Sequence, residues 1–232
     1  MREMKRLISI FILLSLSVCA RAEVVRKVTV DASGVTAAYY NNGVECAREI
    51  FDSESNLLKR QGEIPDGVVK QYSASNVLVA EYTYKSGRKD GLVKKYSDSG
   101  KLKQEISYRA GRKSGVSRDY FNNGTLGAQY TYEAGKLNGV TKIYLADGKL
   151  FEEITYVDNV REGQSTTYYG SGRAGETAIY KAGKKDGISK VFFDADPPKA
   201  QFVYTYRDGA VIKSTEYNSD GTLKLAPGVP AQ

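Results

Sequence analysis

Histidine and tryptophan are absent from the 232 residues of this sequence. Without histidine, the chain cannot form a Ser-His-Asp triad, a Cys-His nucleophile or a histidine-ligated zinc site. Carboxylate pairs remain as the main enzymatic option, but the neighbours Glu152 and Glu153 would point to opposite faces of a strand and could not flank one bond. We therefore predict a protein that is not an enzyme, with no catalytic residue, metal site or cofactor.

Long apolar runs are absent beyond the N-terminus. Three basic residues precede an apolar stretch at residues 7–18, and Ala20-Arg21-Ala22 has the small-x-small form of a cleavage site. This order is typical of a secretory signal peptide, and the apolar stretch is too short to span a membrane. We predict that residues 1–22 are a signal peptide and that the protein is exported to the periplasm or the extracellular space. A lipoprotein signal anchored at Cys19 is the alternative, because residues 16–19 resemble a lipobox.

Without residues 1–22, the chain has a single cysteine and a small net charge. Cys46 is then the only cysteine, so no intrachain disulfide can form. It is either a small, partly buried side chain or a partner in an intermolecular disulfide. The 30 basic and 26 acidic residues that remain give a formal charge of +4, which is not typical of a nucleic-acid-binding protein.

Glycine and tyrosine, in contrast, recur with a fixed period of 24 residues. The leading glycines are Gly67, Gly91, Gly115, Gly139, Gly163 and Gly187. An aromatic residue follows five positions later, at Tyr72, Tyr96, Tyr120, Tyr144, Tyr168 and Phe192, and another follows seventeen positions later, at Tyr84, Tyr108, Tyr132, Tyr156 and Tyr180. A constant period of this length indicates a repeat array.

Each unit reads as a β-hairpin, because runs rich in Tyr, Thr, Ile and Val alternate with glycine-containing turns. The predicted fold class is all-β, an elongated single-layer antiparallel meander of repeated hairpins. We assign an N-terminal strand to residues 23–33, the array to residues 34–221, and a flexible tail to residues 222–232. Extra residues within 44–66 form either a longer hairpin loop or a short covering helix.

The turn lengths predict which side chains share a face. Three-residue loops at Asp98–Gly100 and Arg109–Gly111 would place Tyr96 opposite Leu102 and Gln104 opposite Val116. One face would then be apolar, and what covers it is left open. That face is predicted to carry Leu92, Lys94, Tyr96, Leu102, Gln104, Ile106 and Tyr108, and the other face Gly91, Val93, Lys95, Lys101, Lys103, Glu105 and Ser107.

A basic column three residues after the leading glycines is the candidate binding site. Its members are Lys70, Lys94, Arg118, Lys142 and Lys190, and the predicted register alternates them with Tyr72, Tyr96, Tyr120, Tyr144 and Tyr168. One interpretation is a cation–aromatic ladder that binds an extended anionic partner. The other is structural: lysine stems cover the apolar face and the tyrosines are packing residues.

The pattern resembles a known repeat. Residues 87–102, GRKDGLVKKYSDSGKL, and the openings KLNG at 136–139 and KKDG at 184–187 are similar to the MORN-variant repeat, the bacterial relative of the membrane occupation and recognition nexus repeat, which occurs in YwqK-family antitoxins. The resemblance implies a hairpin scaffold that binds another macromolecule, with a protein as the expected partner. Two alternatives stay open: an immunity or antitoxin-like protein that neutralises a toxin, and a protein associated with anionic envelope lipid or glycan.

Overall fold

The computed structural model describes residues 23–31 and 34–224, which form 20 strands of one open sheet and no helix. The predicted signal peptide, the alternative lipid anchor at Cys19 and the last eight residues of the predicted tail lie outside the described residues. The strands are β1 (Val24–Asp31), β2 (Gly34–Asn41), β3 (Val44–Phe51), β4 (Leu57–Gly62), β5 (Gly67–Tyr72), β6 (Leu78–Lys85), β7 (Arg88–Tyr96), β8 (Leu102–Arg109), β9 (Arg112–Lys113), β10 (Gly115–Tyr120), β11 (Leu126–Glu133), β12 (Lys136–Leu137), β13 (Gly139–Tyr144), β14 (Leu150–Val157), β15 (Val160–Tyr168), β16 (Ala174–Lys181), β17 (Lys184–Lys185), β18 (Gly187–Phe192), β19 (Ala200–Arg207) and β20 (Ala210–Glu216).

The strands follow one another across the sheet as an antiparallel meander from β5 to β20, which confirms the predicted fold class. Strands β1 to β4 form a second meander that runs the other way, and it joins the first through a parallel pair between β1 and β5. The extra residues at 44–66 form the hairpin of β3 and β4, so the covering helix is not present among the described residues.

The first turn of each unit has the predicted length. Tyr96 lies opposite Leu102, the Gly100 N–H donates to the Ser97 carbonyl at 2.8 Å, and Gly100 has a φ of 77°. Next to this turn, a bulge between Lys95 and Tyr96 shifts the pairing in the rest of the hairpin by one residue from the predicted pairing. Because side chains alternate between the two faces, this shift places Val93 rather than Leu92 opposite Ile106.

The second turn is one residue shorter than predicted. Ala110 and Gly111, with φ values of 48° and 84°, form a two-residue loop between the paired residues Arg109 and Arg112. Positive φ at both positions is the geometry of a type I′ turn, whose twist matches that of the flanking strands. Beyond this turn the pairing resumes with Gln104 opposite Asp119, so the predicted pairing of Gln104 with Val116 is wrong.

The two faces of the sheet therefore differ from the predicted ones in the first strand of each unit. We call the face with Val93, Ile106 and Tyr108 the core face, and the face with Lys94 and Glu105 the charged face. Val93 is 1% exposed, whereas Leu92 on the charged face is 36% exposed. The assignment of Leu92, Lys94 and Tyr96 to the apolar face is wrong, because the bulge reverses that strand relative to its partner.

Strands β1 to β4 cover the beginning of the core face. Their cluster with the array contains Val24, Ala37, Tyr39, Ala47, Ile64, Val69 and Tyr84. Within it, the Tyr39 hydroxyl donates to Glu49 at 2.6 Å and lies 3.1 Å from the Tyr84 hydroxyl. Arg60 forms an ion pair with Glu49 and donates to the Gly87 carbonyl at 3.0 Å, which ties β4 to the array.

Farther along the array, long side chains on the core face shield short ones. Ser117, Thr141, Ser165 and Ser189 are all buried, and their cross-strand neighbours include Tyr130, Ile154, Ala178 and Tyr204. Adjacent strands are only about 4.8 Å apart, so Tyr130, Ile154 and Tyr204 lie next to these short side chains and cover part of them.

Candidate binding surface on the core face

The predicted basic column lies on the charged face, where acidic residues separate its first members. Lys94 pairs with Glu81 on one side and Glu105 on the other. Farther along the row, Gln129 separates Arg118 from Lys142, and threonines precede Lys190. Three members form ion pairs: Lys70 with Glu23 at 3.2 Å, Arg118 with Glu105 at 3.8 Å and Lys142 with Glu153 at 2.7 Å. Lys190 is exposed and lies opposite Thr177. Most of the predicted cations are therefore balanced by a carboxylate of the same face.

Tyrosines of the first column lie on the charged face beside these cations, as the sequence predicts, but their hydroxyls bind the acidic residues. Tyr96 donates to Glu81 at 2.7 Å, and the equivalent bonds of Tyr72, Tyr120 and Tyr168 reach Glu23, Glu105 and Glu153 at 2.8 Å each. Burial, together with the bond to Glu81, raises the pKa of Tyr96 to about 12. The ion pair with Lys142 and the bond from Tyr168 lower the pKa of Glu153. These contacts make the row a structural network.

A second cation–aromatic row, which the sequence reasoning missed, lies on the core face. It combines basic residues two positions before the leading glycines with tyrosines of the neighbouring strands. We call this set the core-face ladder: Lys89, Lys113, Arg161 and Lys185 with Tyr82, Tyr108, Tyr132, Tyr180 and Tyr206. Lys89 lies 5.2 Å from the Tyr82 ring centroid and 5.3 Å from that of Tyr108, Lys113 4.8 Å from Tyr132, Arg161 5.4 Å from Tyr180 and Lys185 5.3 Å from Tyr206.

Charges on the core-face ladder are only partly balanced. Lys185 forms an ion pair with Glu176, but no carboxylate of the described part of the chain lies within ion-pair distance of Lys89, Lys113 or Arg161. Burial lowers the pKa of Lys89, and the neighbouring charge of Arg26 lowers it further. This face therefore presents positive charge that has no ion-pair partner in the part of the chain that the structure describes.

Arg26 of β1 extends the ladder at its N-terminal end. Its guanidinium lies 5.3 Å from the Tyr82 centroid and 5.9 Å from that of Tyr39, and it donates to Gln71 at 2.6 Å. The Nε atom is buried without a hydrogen-bond partner among the described residues. Arg26 and Lys89 thus bring two cations to one tyrosine ring.

A signal for the core-face ladder exists in the sequence. A basic residue stands two positions before Gly91, Gly115, Gly163 and Gly187, and the exceptions in the same column are Pro65 and Leu137. The predicted register, however, gave no reason to place that column beside the second tyrosine column. Pairs such as Tyr108 opposite Lys113 follow only from the two-residue turn.

The remaining chemistry of the described residues is limited. No group of three or more potential metal ligands occurs in residues 23–31 and 34–224. Over the same residues no helix is long and apolar enough to cross a membrane. The surface that stands out in this part of the chain is therefore the extended ladder of cations and rings.

Comparisons with known proteins give information on the repeats alone. No curated protein matches the sequence. Among solved structures, the Tc holotoxin pore of Photorhabdus luminescens aligns with 82% of this chain and 13% of that chain, at 12% identity and a TM-score of 0.18, which is too low to support an argument about fold or function. Residues 65–86, 89–110 and 137–158 match the model of the MORN repeat variant, which confirms the resemblance predicted for these units.

Proposed function

We propose that this protein is an exported, non-enzymatic repeat scaffold that binds a protein partner through the core-face ladder. The observation that carries the proposal is the difference in charge balance between the two faces. On the charged face Lys70, Arg118 and Lys142 form ion pairs, and Lys94 lies between Glu81 and Glu105. On the core face Lys185 has an ion pair, whereas Lys89, Lys113 and Arg161 have none among the described residues. Charge that is left unbalanced is available to a partner.

The repeat architecture supports a role in binding. Each unit contacts only its neighbours, so a row of side chains at one repeat position becomes an extended, regular surface. Tyrosine contributes large, rigid contact area at interfaces, and a cation between rings adds electrostatic attraction. The MORN-variant match at three units agrees with a scaffold of this kind.

Export is the further element of the proposal, and it rests on residues 1–22. Their basic start, short apolar stretch and small-x-small end have the order of a secretory signal. We therefore place the partner in the periplasm or outside the cell. An immunity or antitoxin-like protein would be one form of this function, with a toxin as its partner.

Two matched triple variants test the proposal. Lys89→Gln with Lys113→Gln and Arg161→Gln neutralises the core-face ladder, and Lys94→Gln with Arg118→Gln and Lys142→Gln neutralises the charged face. Each tagged protein is used to capture partners from envelope extracts, with far-ultraviolet circular dichroism and a thermal melt as controls for folding.

We expect the wild-type protein and the charged-face triple to retain one stoichiometric protein partner that the core-face triple loses. Loss of the partner by the charged-face triple alone would contradict the core-face assignment. It would support binding through the column predicted from the sequence, which consists of Lys70, Lys94, Arg118, Lys142 and Lys190. Retention of the wild-type protein only on wall or lipid preparations would contradict a protein partner.

A further inference from the structure

We propose that the partner contributes an acidic segment in the extended polyproline II conformation, which crosses β7 to β11 at right angles to the strands and carries carboxylates three residues apart. Lys89 and Lys113 would each bind one carboxylate, and the rings of Tyr108 and Tyr132 would contact the segment. This inference rests on the proposed function and specifies its ligand.

The spacing of the cations supports an extended segment. Lys89 in β7 and Lys113 in β9 hold equivalent repeat positions and are separated by the single strand β8. Neighbouring strands lie about 4.8 Å apart, so the two cations are about 10 Å apart along the sheet. A polyproline II segment rises about 3.1 Å per residue and completes one turn in three residues, so side chains three residues apart lie on the same side, about 9 Å from each other.

Charge complementarity selects an acidic occupant. Acidic residues near this part of the core face already have partners: Glu49 binds Tyr39 and Arg60, and Asp119 accepts from Gln104 at 2.9 Å and from Tyr130 at 3.2 Å. Neither is placed to neutralise Lys89 or Lys113 as an ion pair. A carboxylate of the partner could form an ion pair with each of these two lysines, while the backbone of the partner segment remains in contact with water.

Both ends of the segment are set by this chain's side chains. On the N-terminal side, Tyr82 packs against the cluster that β1 to β4 cover, so the segment begins at Lys89. On the other side the next residue of the column is Leu137, so the cationic run is interrupted after Lys113. We therefore expect two carboxylates in the segment, followed by an apolar residue at the position of Leu137.

Three fluorescent peptides of equal length test the spacing. One has glutamate at every third residue and serine or threonine between, a second has the same glutamates in one block, and a third has glutamine in their place. Anisotropy titrations at low salt should give an affinity for the spaced peptide at least about tenfold higher than for the block peptide. Lys89→Gln with Lys113→Gln should abolish the difference, whereas the control Lys94→Gln with Lys142→Gln should leave it unchanged.

Equal affinity for the spaced and block peptides, or binding only to anionic phosphatidylglycerol vesicles, would overturn the inference. Partner capture separates this failure from failure of the proposed function. If the core-face triple still loses its protein partner while no acidic peptide binds, only the acidic segment is wrong. If capture does not depend on the core-face triple, the proposed function is wrong as well.

Discussion

At the scale of single residues, Leu92 and Ile106 have similar volumes but lie on opposite faces. Ile106 is 8% exposed on the core face, and Leu92 is 36% exposed on the charged face. Ile106→Ala should lower the free energy of unfolding by about 2–5 kcal/mol, because it leaves a cavity. Leu92→Ala should lower it by less than about 1 kcal/mol. Denaturant titrations measure both, and equal losses would contradict the observed register.

Tyrosine ionisation gives a second prediction at this scale. Burial raises the pKa values of Tyr96, Tyr130 and Tyr168 to about 12, assisted in each by a carboxylate hydrogen bond or charge. Since the unfolded value is about 10, these groups favour the folded state below pH 10, and that contribution is lost as the pH rises toward 12. Near-ultraviolet absorbance should show a late-titrating group of tyrosines, reduced by one in Tyr96→Phe. Uniform titration near pH 10 in the folded protein would refute the prediction.

At the scale of the hairpin, Gly91 and Gly100 have different roles. Gly91 has a φ of 111°, and a Cβ there would lie 3.0 Å from Cγ2 of Thr83, whose hydroxyl donates to the Leu92 carbonyl at 2.8 Å. Gly100 has a φ of 77° with nothing within 4 Å of such a Cβ. Gly100→Ala should destabilise by about 1–2 kcal/mol from backbone strain, and Gly91→Ala by about 2–4 kcal/mol because the clash adds to it. Thermal melts of the two variants compare these losses of stability. An equal or larger loss of stability in Gly100→Ala would show that the protein accommodates a Cβ at residue 91 at no cost.

Much of each hairpin was predictable, because Gly100 determines the first turn locally. The second turn was not predictable in the same way, since Ala110 is an unfavourable residue at positive φ. Contacts from the preceding unit hold it: Asp90 accepts from the Ala110 N–H at 3.1 Å, and the Gly111 N–H donates to the Lys89 carbonyl at 2.8 Å. Such contacts follow only from the assembled array.

The candidate site, too, was only partly predictable from the sequence. The periodicity identifies the basic column and the two tyrosine columns, and it correctly places Lys94 and Tyr96 on one face. It cannot reveal the bulge at Lys95 and Tyr96, which brings Glu105 to that face and turns the predicted ladder into a balanced network. The core-face ladder was missed for a second reason, because Lys113 lies opposite Tyr108 only with the two-residue turn.

At the scale of the whole molecule, the sheet presents two extended surfaces of different character. The charged face alternates cations with glutamates in its first units, and the core face combines tyrosine rings with cations that have no ion-pair partner among the described residues, such as Lys89 and Lys113. Strands β1 to β4 cover the beginning of the core face. An extended partner would therefore meet the core face from β7 onward.

Lysine acetylation of the complex, read by mass spectrometry, is the most direct test of which face binds. Lysines are modified in the free protein and in the presence of the captured partner, and the two rates are compared at each site. We expect Lys89 and Lys113 to be protected by the partner, while Lys94 and Lys142 on the charged face react at unchanged rates. Protection of Lys94 and Lys142 with unchanged rates at Lys89 and Lys113 would contradict the claim that the core face is the binding surface.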